Sequence, residues 1–328
     1  MKLTRIAVKL ITYVYFLFKY RSHSIASIFA QNNLLLKTTS ITHRNGKNLQ
    51  FTGNAKNSFP LQSLKDFNHQ QLSFLIALLN KNNIFIVDTG KGYIVLRIDD
   101  IDYRVVSGPN LAIMHELFID NNYGISTGKE YILLDIGMNV GYASLYFSSF
   151  KNIKRIYSYE PFTDTFNIAR QNINANDLSA KKIKAHNYGI SNYTGTVNVP
   201  LPEEGSVIAS TEESFIKKHN FDPSKSIRVN VRDILEVLKE VREENPGEYL
   251  ALKIDCEGEE YNILESLDKN DSFDKIIFLC VEWHFKGPDR IKEILIKKNY
   301  TVFDIPKTLQ DDPGMNFGMI YAFKNPAL

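Results

Sequence analysis

The stretch ILLDIGMNVGY, residues 132–142, ends an apolar run in an aspartate and then steps through glycine and asparagine before a second apolar run. Its distinctive positions are Asp135, Gly137, Asn139 and Gly141. Glycine lets the backbone approach a ligand closely and lets a strand and a helix pack together. The aspartate and the asparagine are then the polar groups of the turn, and the carboxylate favours a positively charged ligand.

A second acidic residue, Glu160, ends the next apolar run in the sequence SYEP. A carboxylate at this place in an α/β sheet can accept hydrogen bonds from ribose hydroxyls. Dinucleotide pyrophosphates are bound by Gly-x-Gly-x-x-Gly, and the spacing here lacks the second glycine. Asp135 is therefore better matched to the ammonium group of a methionine-like tail than to a pyrophosphate. An NAD-dependent oxidoreductase and a non-catalytic binding module remain the alternatives.

Two later segments combine carboxylates with a histidine. KIDCEGEE contains Asp255 and Glu257, and CVEWHF contains Glu282 and His284. Residues two apart in a strand point to the same side, so Glu282 and His284 are expected to face Asp255 across one crevice. Such a group suits general acid–base chemistry, because crowding shifts pKa values toward neutrality. A magnesium or manganese ion bound by Asp255, Glu282 and His284 is the alternative.

Strands and helices that alternate from residue 131 onward must position these side chains. Seven apolar segments predict strands: YILLDIG, RIYSYEP, KIKAHNYGIS, YLALKID, KIIFLCVEW, YTVFDIP and FGMIYAF. Amphipathic segments predict helices at residues 142–150, 162–176, 231–243, 259–267 and 289–298. This alternation predicts an α/β fold with a seven-stranded, mainly parallel sheet and helices on both faces. No helix separates the last two strands, so the final strand is expected to run antiparallel.

The preceding region is predicted to form a small α+β accessory layer. Apolar residues at helical spacing favour a helix over residues 61–79. The segments IFIVD and YIVLRIDDIDYRVV predict a hairpin that turns at Asp99–Asp100, and a second helix is predicted to close at Gly124. The chain is thus expected to divide into a basic arm with a polar linker, this accessory region and the α/β domain, at residues 1–60, 61–109 and 110–328.

Charge is distributed unevenly along the chain. The first 65 residues hold ten Lys and Arg and no acid, so all 37 acidic residues follow them, together with 29 of the 39 basic residues. The acidic balance of the body argues against nucleic acid binding. Within residues 1–21, cations flank an apolar run too short for a membrane span, which suits peripheral contact with an anionic membrane surface. A terminal helix packed on the body is the alternative.

The two cysteines have apolar surroundings in the sequence. Cys256 and Cys280 lie inside or at the end of predicted strands. Both are therefore expected to serve packing, and a disulfide framework is excluded because only two cysteines occur. The spacing of Cys and His also matches no zinc site.

Four segments together resemble successive motifs of one family. They are LLDIGMNVGYASLYFS, YSYEPFTDTFNIARQNINAN, NYGISNYTGTV and LKIDCEGEEYNILESL. Their order, spacing and residue types resemble the FkbM family of S-adenosylmethionine-dependent methyltransferases, over about residues 110–305. The resemblance implies a Rossmann-like class I methyltransferase fold with S-adenosyl-L-methionine as the cofactor.

The resemblance also implies roles for matching positions. Seven residues would bind the cofactor: Asp135, Gly137, Asn139 and Gly141 the methionine portion, Glu160 the ribose, and Asn187 and Gly189 the border of the adenine. Family members frequently methylate hydroxyl groups of glycans or other natural products, so O-methylation of a sugar or glycan is implied. A lipid-linked acceptor would place the protein in the cytoplasm, peripherally at the inner face of the membrane.

Methyl transfer to an alcohol requires a precisely placed acceptor and a group that removes its proton. We expect Asp255 or Glu257 to orient the acceptor hydroxyl and His284 to accept the proton. Trp283, Phe285 and the loop KTLQDDPGMNFG are expected to form walls of the acceptor pocket. The simpler interpretation is that Glu259 and Glu260 only favour a helix N-terminus and that His284 is a hydrogen-bonded structural histidine.

Overall fold

The computed structural model separates the chain into two units, residues 1–121 and residues 122–328. The structure describes residues 10, 13–14, 48–51, 57–60, 69–79, 81, 83–90, 92–124, 127–200, 225–308 and 316–326. No helix among these residues is long and apolar enough to cross a bilayer. Most of the segment predicted to contact a membrane, residues 1–21, lies outside the described residues.

The first unit contains short antiparallel sheets and helices. In chain order its elements are strands β1 (Asn48–Phe51) and β2 (Asn57–Pro60), helix α1 (His69–Leu79), strands β3 (Ile84–Gly90), β4 (Tyr93–Ile98) and β5 (Ile101–Val105), and helix α2 (Gly108–Phe118). Strand β1 pairs with β2, and β3, β4 and β5 form a meander. Helix α1 packs against α2 through buried leucines such as Leu78 and Leu111.

The accessory elements confirm one prediction and differ from the others in three respects. The hairpin that turns at Asp99–Asp100 is confirmed, and Asp99 has a left-handed φ of 52°. The first difference is that the segment IFIVD adds a third strand to this hairpin. The second helix ends at Phe118 because Asn121 becomes left-handed, with φ of 57°. Strands β1 and β2 occur in the predicted polar linker, where each is too short to show a clear alternation.

The second unit contains the elements that carry the candidate site. In chain order they are β6 (Tyr131–Ile136), α3 (Tyr142–Ser148), β7 (Ile153–Tyr159), α4 (Thr163–Asn174), α5 (Asp177–Ala180), β8 (Ile183–His186), β9 (Gly189–Ser191), β10 (Gly195–Pro200), β11 (Ser226–Asp233), α6 (Ile234–Glu244), β12 (Leu250–Ile254), α7 (Glu260–Lys269), β13 (Ile276–His284), α8 (Asp289–Lys297), β14 (Tyr300–Thr308) and β15 (Asn316–Lys324).

Seven strands form one sheet in the order β14-β15-β13-β12-β6-β7-β8. Strand β15 runs antiparallel to both of its neighbours, and every other neighbouring pair is parallel. The seven predicted strands and the antiparallel return of the last one are confirmed. The expected Rossmann-like α/β fold, with a mainly parallel seven-stranded sheet, is therefore confirmed.

The sheet is covered by two groups of helices. Helices α3, α4 and α5 pack in succession, as do α6, α7 and α8. Because crossover connections are right-handed and the strand order reverses between β6 and β12, the two groups cover opposite faces. The two central strands, β6 and β12, are buried along their whole length. Cys280 is buried in β13, and the partly buried Cys256 packs against the hydrophobic core, which agrees with the packing role predicted from their apolar settings. Both thiols are free.

The reversal of strand order places the candidate residues at one edge of the sheet. Asp135 is next to last in β6, Glu160 directly follows β7, Asp255 directly follows β12, and His284 ends β13. The carboxyl ends of parallel strands beside a reversal point form the usual ligand crevice of α/β folds. The four side chains predicted from separate motifs therefore share this edge.

A second, three-stranded sheet of order β10-β11-β9 was not predicted. The segment KIKAHNYGIS forms two strands, β8 and β9, which belong to different sheets. The helix predicted from residue 231 begins only at Ile234, because SIRVNVRD is strand β11, with Val229 and Val231 buried at alternate positions. Asp233 ends that strand and caps the helix.

Candidate active site

The turn after β6 is left-handed at three residues. The φ angles of Gly137, Asn139 and Gly141 are 83°, 53° and 86°. A Cβ atom on Gly137 would overlap the carbonyl oxygen of Asp255. A Cβ atom on Gly141 would lie 3.3 Å from that of Ala169 in α4. The glycines let the turn pack closely against the residue after β12 and against α4, and Gly137 is required by the approach of the chain to itself.

Glu160 links this turn to the end of β7. Its side chain is almost fully buried, and its carboxylate accepts the backbone N–H of Asn139 at 2.9 Å and that of Phe162 at 3.0 Å. Burial raises the pKa of Glu160 to about 7, although the two backbone hydrogen bonds lower it. Each oxygen accepts one backbone N–H and keeps capacity for a second bond. This geometry fits the ribose role implied by the sequence, which stays a prediction.

Asn187 and Gly189 lie beside the segment that follows Glu160. The side-chain amide of Asn187 donates to the carbonyl oxygens of Glu160 at 2.9 Å and Pro161 at 3.2 Å. Gly189 opens β9, where a Cβ atom would make only ordinary van der Waals contact with Pro161 and Val231. Both residues therefore shape the surroundings of Glu160, and their contact with adenine stays a prediction.

Asp135 faces a cation that belongs to the same chain. It is aligned with Lys253 in the register of β6 and β12, and both side chains are buried. The Lys253 Nζ atom lies 3.2 Å from Oδ1 of Asp135 and 3.3 Å from Oδ2 of Asp255, and it donates to the carbonyl oxygen of Gly137 at 2.6 Å. Ser144 donates to the other carboxylate oxygen of Asp135. Asp135 therefore offers no exposed surface to a ligand in this arrangement.

Lys253 was missed in the sequence analysis. Burial lowers the pKa of its ammonium group, but the carboxylates of Asp255 and Asp135 outweigh burial and raise it above its ordinary value. The available signal was a lysine inside the apolar strand YLALKID. A charge in a strand that is covered on both faces must be paired within the protein. The partners are Asp135 in the neighbouring strand β6 and Asp255, two residues after Lys253 in the chain.

Asp255 is the most exposed member of this buried group. Its side chain is 28% exposed, whereas those of Lys253 and Asp135 are 3% and 0% exposed. The hydroxyl of Tyr123 donates to Asp255 Oδ2 at 3.3 Å. Burial raises the pKa of Asp255, but the positive charges around it, led by Lys253 and His284, lower it below its ordinary value. Asp255 is therefore a carboxylate at neutral pH.

His284 lies between two glutamates at the end of β13. Its Nδ1 atom is 2.8 Å from Oε1 of Glu260, and its Nε2 atom is 3.7 Å from Oε2 of Glu257. Burial lowers the pKa of His284, but the two carboxylates outweigh it and raise the pKa well above its ordinary value. An imidazolium has no lone pair for a proton. The predicted role of His284 as proton acceptor therefore does not fit this arrangement.

Glu260 does more than favour a helix N-terminus. It is fully buried, and besides His284 its carboxylate accepts the backbone N–H of Cys256 at 3.2 Å and that of Gly258 at 2.8 Å. These bonds fix the turn between β12 and α7 and anchor the imidazole ring at the same time. This role could not be predicted, because the sequence alone does not distinguish Glu260 from the nearby Glu257 and Glu259.

Glu257 is the carboxyl group of the cluster with a near-neutral pKa and access to the crevice. Its side chain is 21% exposed, and its backbone is left-handed with φ of 52°. Burial raises the pKa of Glu257 to about 8, with help from Asp255 and against the lowering effect of His284. A group with this pKa can both hold and release a proton near neutrality.

The alternative metal site is not formed. Glu282 is buried on the same strand as His284, and its Oε1 atom lies 3.7 Å from Nζ of Lys307. Burial and the nearby charge of Asp255 raise the pKa of Glu282. Among the side chains the structure describes, no three His, Cys, Asp or Glu residues are grouped to hold a metal ion. The Nδ1 atom of His284 is engaged by Glu260 instead.

The expected walls of the acceptor pocket are only partly found. Trp283 is buried in the hydrophobic core, and its indole N–H donates to Asp304 at 3.2 Å. Alternation along β13 turns it away from the side of His284, so this prediction was wrong. Phe285 is half-buried beside His284, with 5.7 Å between the ring centroids. Most of the loop KTLQDDPGMNFG lies outside the described residues.

The sequence profile of the methyltransferase FkbM domain matches residues 135–310, which is more than half of the chain. The chain belongs to the FkbM family of methyltransferases. The match begins at Asp135 and includes every candidate residue through His284. The resemblance drawn from the motifs is confirmed, and an NAD-dependent oxidoreductase no longer accounts for the turn after β6.

Two curated methyltransferases are similar to this FkbM chain. Methyltransferase sdnD of Sordaria araneosa is 25% identical over 254 residues, which cover 70% of this chain and 95% of the relative. Methyltransferase 1 of Beauveria bassiana is 23% identical over 245 residues, which cover 68% and 96%. Neither name states an acceptor, so the relatives support methyl transfer without specifying the substrate.

Solved structures give weaker similarities. A methyltransferase FkbM from Methylobacillus flagellatus is 16% identical with a TM-score of 0.42, covering 61% of this chain and 46% of its own length. The M. jannaschii TYW2 structure in complex with AdoMet is 11% identical with a TM-score of 0.38, covering 73% and 90%. The FkbM assignment of this chain therefore rests on the domain match, and its fold rests on the strand order.

Proposed function

We propose that this FkbM-family chain is an S-adenosylmethionine-dependent O-methyltransferase that acts on a hydroxyl group of a sugar or glycan. Methyl transfer to oxygen is carried by one observation: Glu257 lies at the crevice with its Oε2 atom 3.7 Å from Nε2 of His284, and its side chain is 21% exposed. Burial raises the pKa of this carboxyl group to about 8. An oxygen acceptor needs such a group because it must lose a proton as it reacts. Glu257 therefore takes the role of base that the sequence analysis gave to His284.

The residues at the ends of β6 and β7 fit the cofactor. When bound, S-adenosylmethionine supplies a methyl group activated by a positively charged sulfur. Glu160 has unused acceptor capacity for ribose hydroxyls, and its bond to the N–H of Asn139 holds the left-handed turn beside it. Asp135 contributes indirectly, because it is enclosed by Ser144 and Lys253.

The cluster at the ends of β12 and β13 prepares the acceptor hydroxyl. Glu260 fixes the ring of His284, and the positive charge of His284 favours the ionised form of Glu257. The ionised Glu257 would orient the hydroxyl by accepting its hydrogen bond. It would take up the proton as the oxygen gains the methyl group and the methyl carbon–sulfur bond breaks, leaving S-adenosylhomocysteine. His284 remains protonated and stabilises the charge in the crevice.

A polyhydroxylated acceptor suits the chemistry of this crevice. Carboxyl groups of Glu257, in the turn after β12, and Glu282, near the end of β13, lie at this edge of the sheet, and carboxyl groups exchange hydrogen bonds with several hydroxyls at once. The half-buried ring of Phe285 adds an apolar surface beside them. The acidic balance of residues 66–328 argues against a nucleic acid as the acceptor.

The proposal is tested by binding and by product analysis. Isothermal titration of the purified protein is expected to show binding of S-adenosylmethionine and S-adenosylhomocysteine and no binding of NADH. Incubation with methyl-labelled S-adenosylmethionine and fractionated cell-envelope glycans is then expected to label a sugar as its methyl ether, detected by mass spectrometry. Absence of S-adenosylmethionine binding would instead indicate a binding module on a methyltransferase fold.

Cofactor binding is expected to weaken as the pH falls below about 7. The pKa of Glu160 is about 7 in the free protein, and a protonated carboxyl group loses acceptor capacity for ribose hydroxyls. The Kd for S-adenosylhomocysteine should rise by up to about tenfold per pH unit below that value. Calorimetry on the wild type and on Glu160→Gln tests this, because the variant should bind weakly without this pH dependence. Glu243→Gln, at an exposed glutamate of α6, should retain the wild-type profile.

Stability is expected to fall as the pH rises from about 6.5 to 8. The pKa of Glu257 is raised to about 8 and that of His284 well above its ordinary value. The folded protein therefore keeps protons that the unfolded chain has already lost, and stability decreases by about 1.4 kcal/mol per pH unit for each such group. The free energy of unfolding, measured with urea at several pH values in this range, should fall less steeply with pH for Glu257→Gln than for the wild type. Equal slopes would contradict the raised pKa.

Membrane contact through residues 1–21 remains part of the proposal. It rests on the cations that flank the apolar run in the sequence, since most of this segment lies outside the described residues. Such a segment is expected to bind vesicles that contain anionic lipids. Flotation assays should show binding of the full chain and loss of binding when residues 1–21 are removed. Binding that survives the truncation would exclude this segment as the contact.

A further inference from the structure

We propose that Asp255, held in place by Lys253, is the carboxylate that faces the positively charged amino-acid end of the cofactor, and that Asp135 does not contact it. This assignment rests on the proposed S-adenosylmethionine dependence and names the residue that reads the methionine portion. Lys253 acts here as a positioning residue, because it reaches the cofactor only through Asp255 and the turn at Gly137.

The charges of the buried group carry the argument. Lys253 supplies one positive charge and is in contact with two carboxylates, those of Asp135 and Asp255. The three side chains therefore retain one negative charge that no member of the group neutralises. Burial makes such a charge costly unless a cation completes it. A ligand with a positive charge at this place would remove that cost.

Exposure decides which carboxylate meets the ligand. The side chain of Asp135 is 0% exposed and that of Asp255 is 28% exposed. Lys253 and Tyr123 both contact Oδ2 of Asp255, so the carboxylate is held at one oxygen while part of its surface reaches the crevice. The excess negative charge is thus presented to a ligand by Asp255.

Position relative to the first turn supports the same assignment. Gly137 packs so closely on the carbonyl group of Asp255 that a Cβ atom would overlap it. Lys253 donates to the carbonyl oxygen of Gly137 at 2.6 Å while it contacts Asp255. The lysine therefore joins the turn expected to border the methionine portion to the carboxylate next to it. Without the lysine, neither the carbonyl group of Gly137 nor the carboxylate of Asp255 would be held in place by this contact.

Other charged groups also surround Asp255 and must be separated from this effect. Lys307 and His284 contribute positive charge. Glu257, in the turn that follows β12, and Glu282, in β13, contribute carboxyl groups. A pH profile alone would mix all of them. The test therefore compares two ligands that differ only in the part that Asp255 is proposed to recognise.

The probes are S-adenosylhomocysteine, which carries the charged amino-acid end, and 5′-methylthioadenosine, which keeps the nucleoside and lacks that end. We expect Asp255→Asn to raise the Kd for S-adenosylhomocysteine about 10- to 100-fold, which is the loss expected when a charge-assisted hydrogen bond is removed. The Kd for 5′-methylthioadenosine should stay within about twofold of the wild-type value. Asp274→Asn, at an exposed aspartate after α7, should leave both values unchanged.

Lys253 is tested with the same two ligands. Lys253→Met should weaken the binding of S-adenosylhomocysteine more than that of 5′-methylthioadenosine. Lys253→Arg should bind S-adenosylhomocysteine more tightly than Lys253→Met does, because arginine keeps the positive charge. Because Lys253→Met leaves two buried carboxylates without a partner, Asp135→Asn/Lys253→Met provides a variant with fewer uncompensated charges; its melting temperature should recover while its ligand selectivity stays impaired. Loss of stability without loss of selectivity would show a purely structural lysine and overturn its positioning role.

The outcomes separate this inference from the function on which it rests. If the wild type binds neither ligand, both proposals fail. If the wild type binds both and Asp255→Asn weakens them equally or not at all, the assignment of Asp255 is overturned while S-adenosylmethionine dependence stands. If a folded Asp135→Asn variant alone shows the selective loss, Asp135 is the contact and the sequence-based assignment was correct.

Discussion

Gly137→Ala is expected to abolish cofactor binding and to lower the free energy of unfolding by about 4 kcal/mol or more. The new Cβ atom would overlap the carbonyl oxygen of Asp255, and backbone atoms at the end of a central strand have little room to move. The residue also has a φ of 83°, where a side chain adds about 1–2 kcal/mol. Urea unfolding and titration calorimetry with S-adenosylhomocysteine measure the two effects.

Gly247 provides a matched control for this prediction. Its φ is 84°, and a Cβ atom there would meet nothing within 4 Å. Gly247→Ala therefore carries the cost of the left-handed backbone alone and should lose about 1–2 kcal/mol while binding the cofactor normally. Equal losses in the two variants would show that the approach of Gly137 to Asp255 is not what the turn requires.

Glu260→Ala is expected to destabilise the protein by about 3–5 kcal/mol, which is the cost of leaving a buried ionic partner uncompensated. The substitution removes the acceptor for His284 and for the N–H groups of Cys256 and Gly258. The pKa of His284 should fall at the same time, because one of its two carboxylates is lost. Urea unfolding and NMR titration of the imidazole measure these changes.

Glu265 offers the comparison on the same helix. Its side chain is 49% exposed and forms an ion pair with Arg290 at 3.2 Å. Exposed ion pairs contribute little, so Glu265→Ala should cost less than about 1 kcal/mol and leave the pKa of His284 unchanged. If Glu260→Ala proved equally mild, the hydrogen bonds around the imidazole would not stabilise the turn between β12 and α7.

The strands of the main sheet were predictable because they are apolar on both faces. Segments such as YILLDIG and KIIFLCVEW stand out as continuous runs, and both are buried strands in the structure. The antiparallel return of β15 followed from the lack of a helix before it. Strands β10 and β11 were not predicted, because they are not continuous apolar runs and β11 leads directly into α6. The alternation of exposed and buried residues in β11 was the available signal.

The sequence predicted which residues of the site lie at strand ends, but it did not predict which side chains contact each other. Asp135, Glu160, Asp255 and His284 were expected at strand ends, and they lie there. Their partners depend on register between distant strands, which a single sequence does not reveal. Lys253 therefore went unnoticed as the partner of Asp135. The protonation of His284 was likewise inaccessible, because it depends on two glutamates approaching from a turn and a helix.

The pairing of Asp135 with Lys253 joins two halves of the sheet that are far apart in the chain. They lie in adjacent central strands, β6 and β12, although 118 residues separate them in the sequence. A fragment that ended before β12 would bury a lone carboxylate in the first βαβ unit, at a cost of several kcal/mol. We therefore expect the centre of this sheet to close only after β12 has been synthesised and paired with β6.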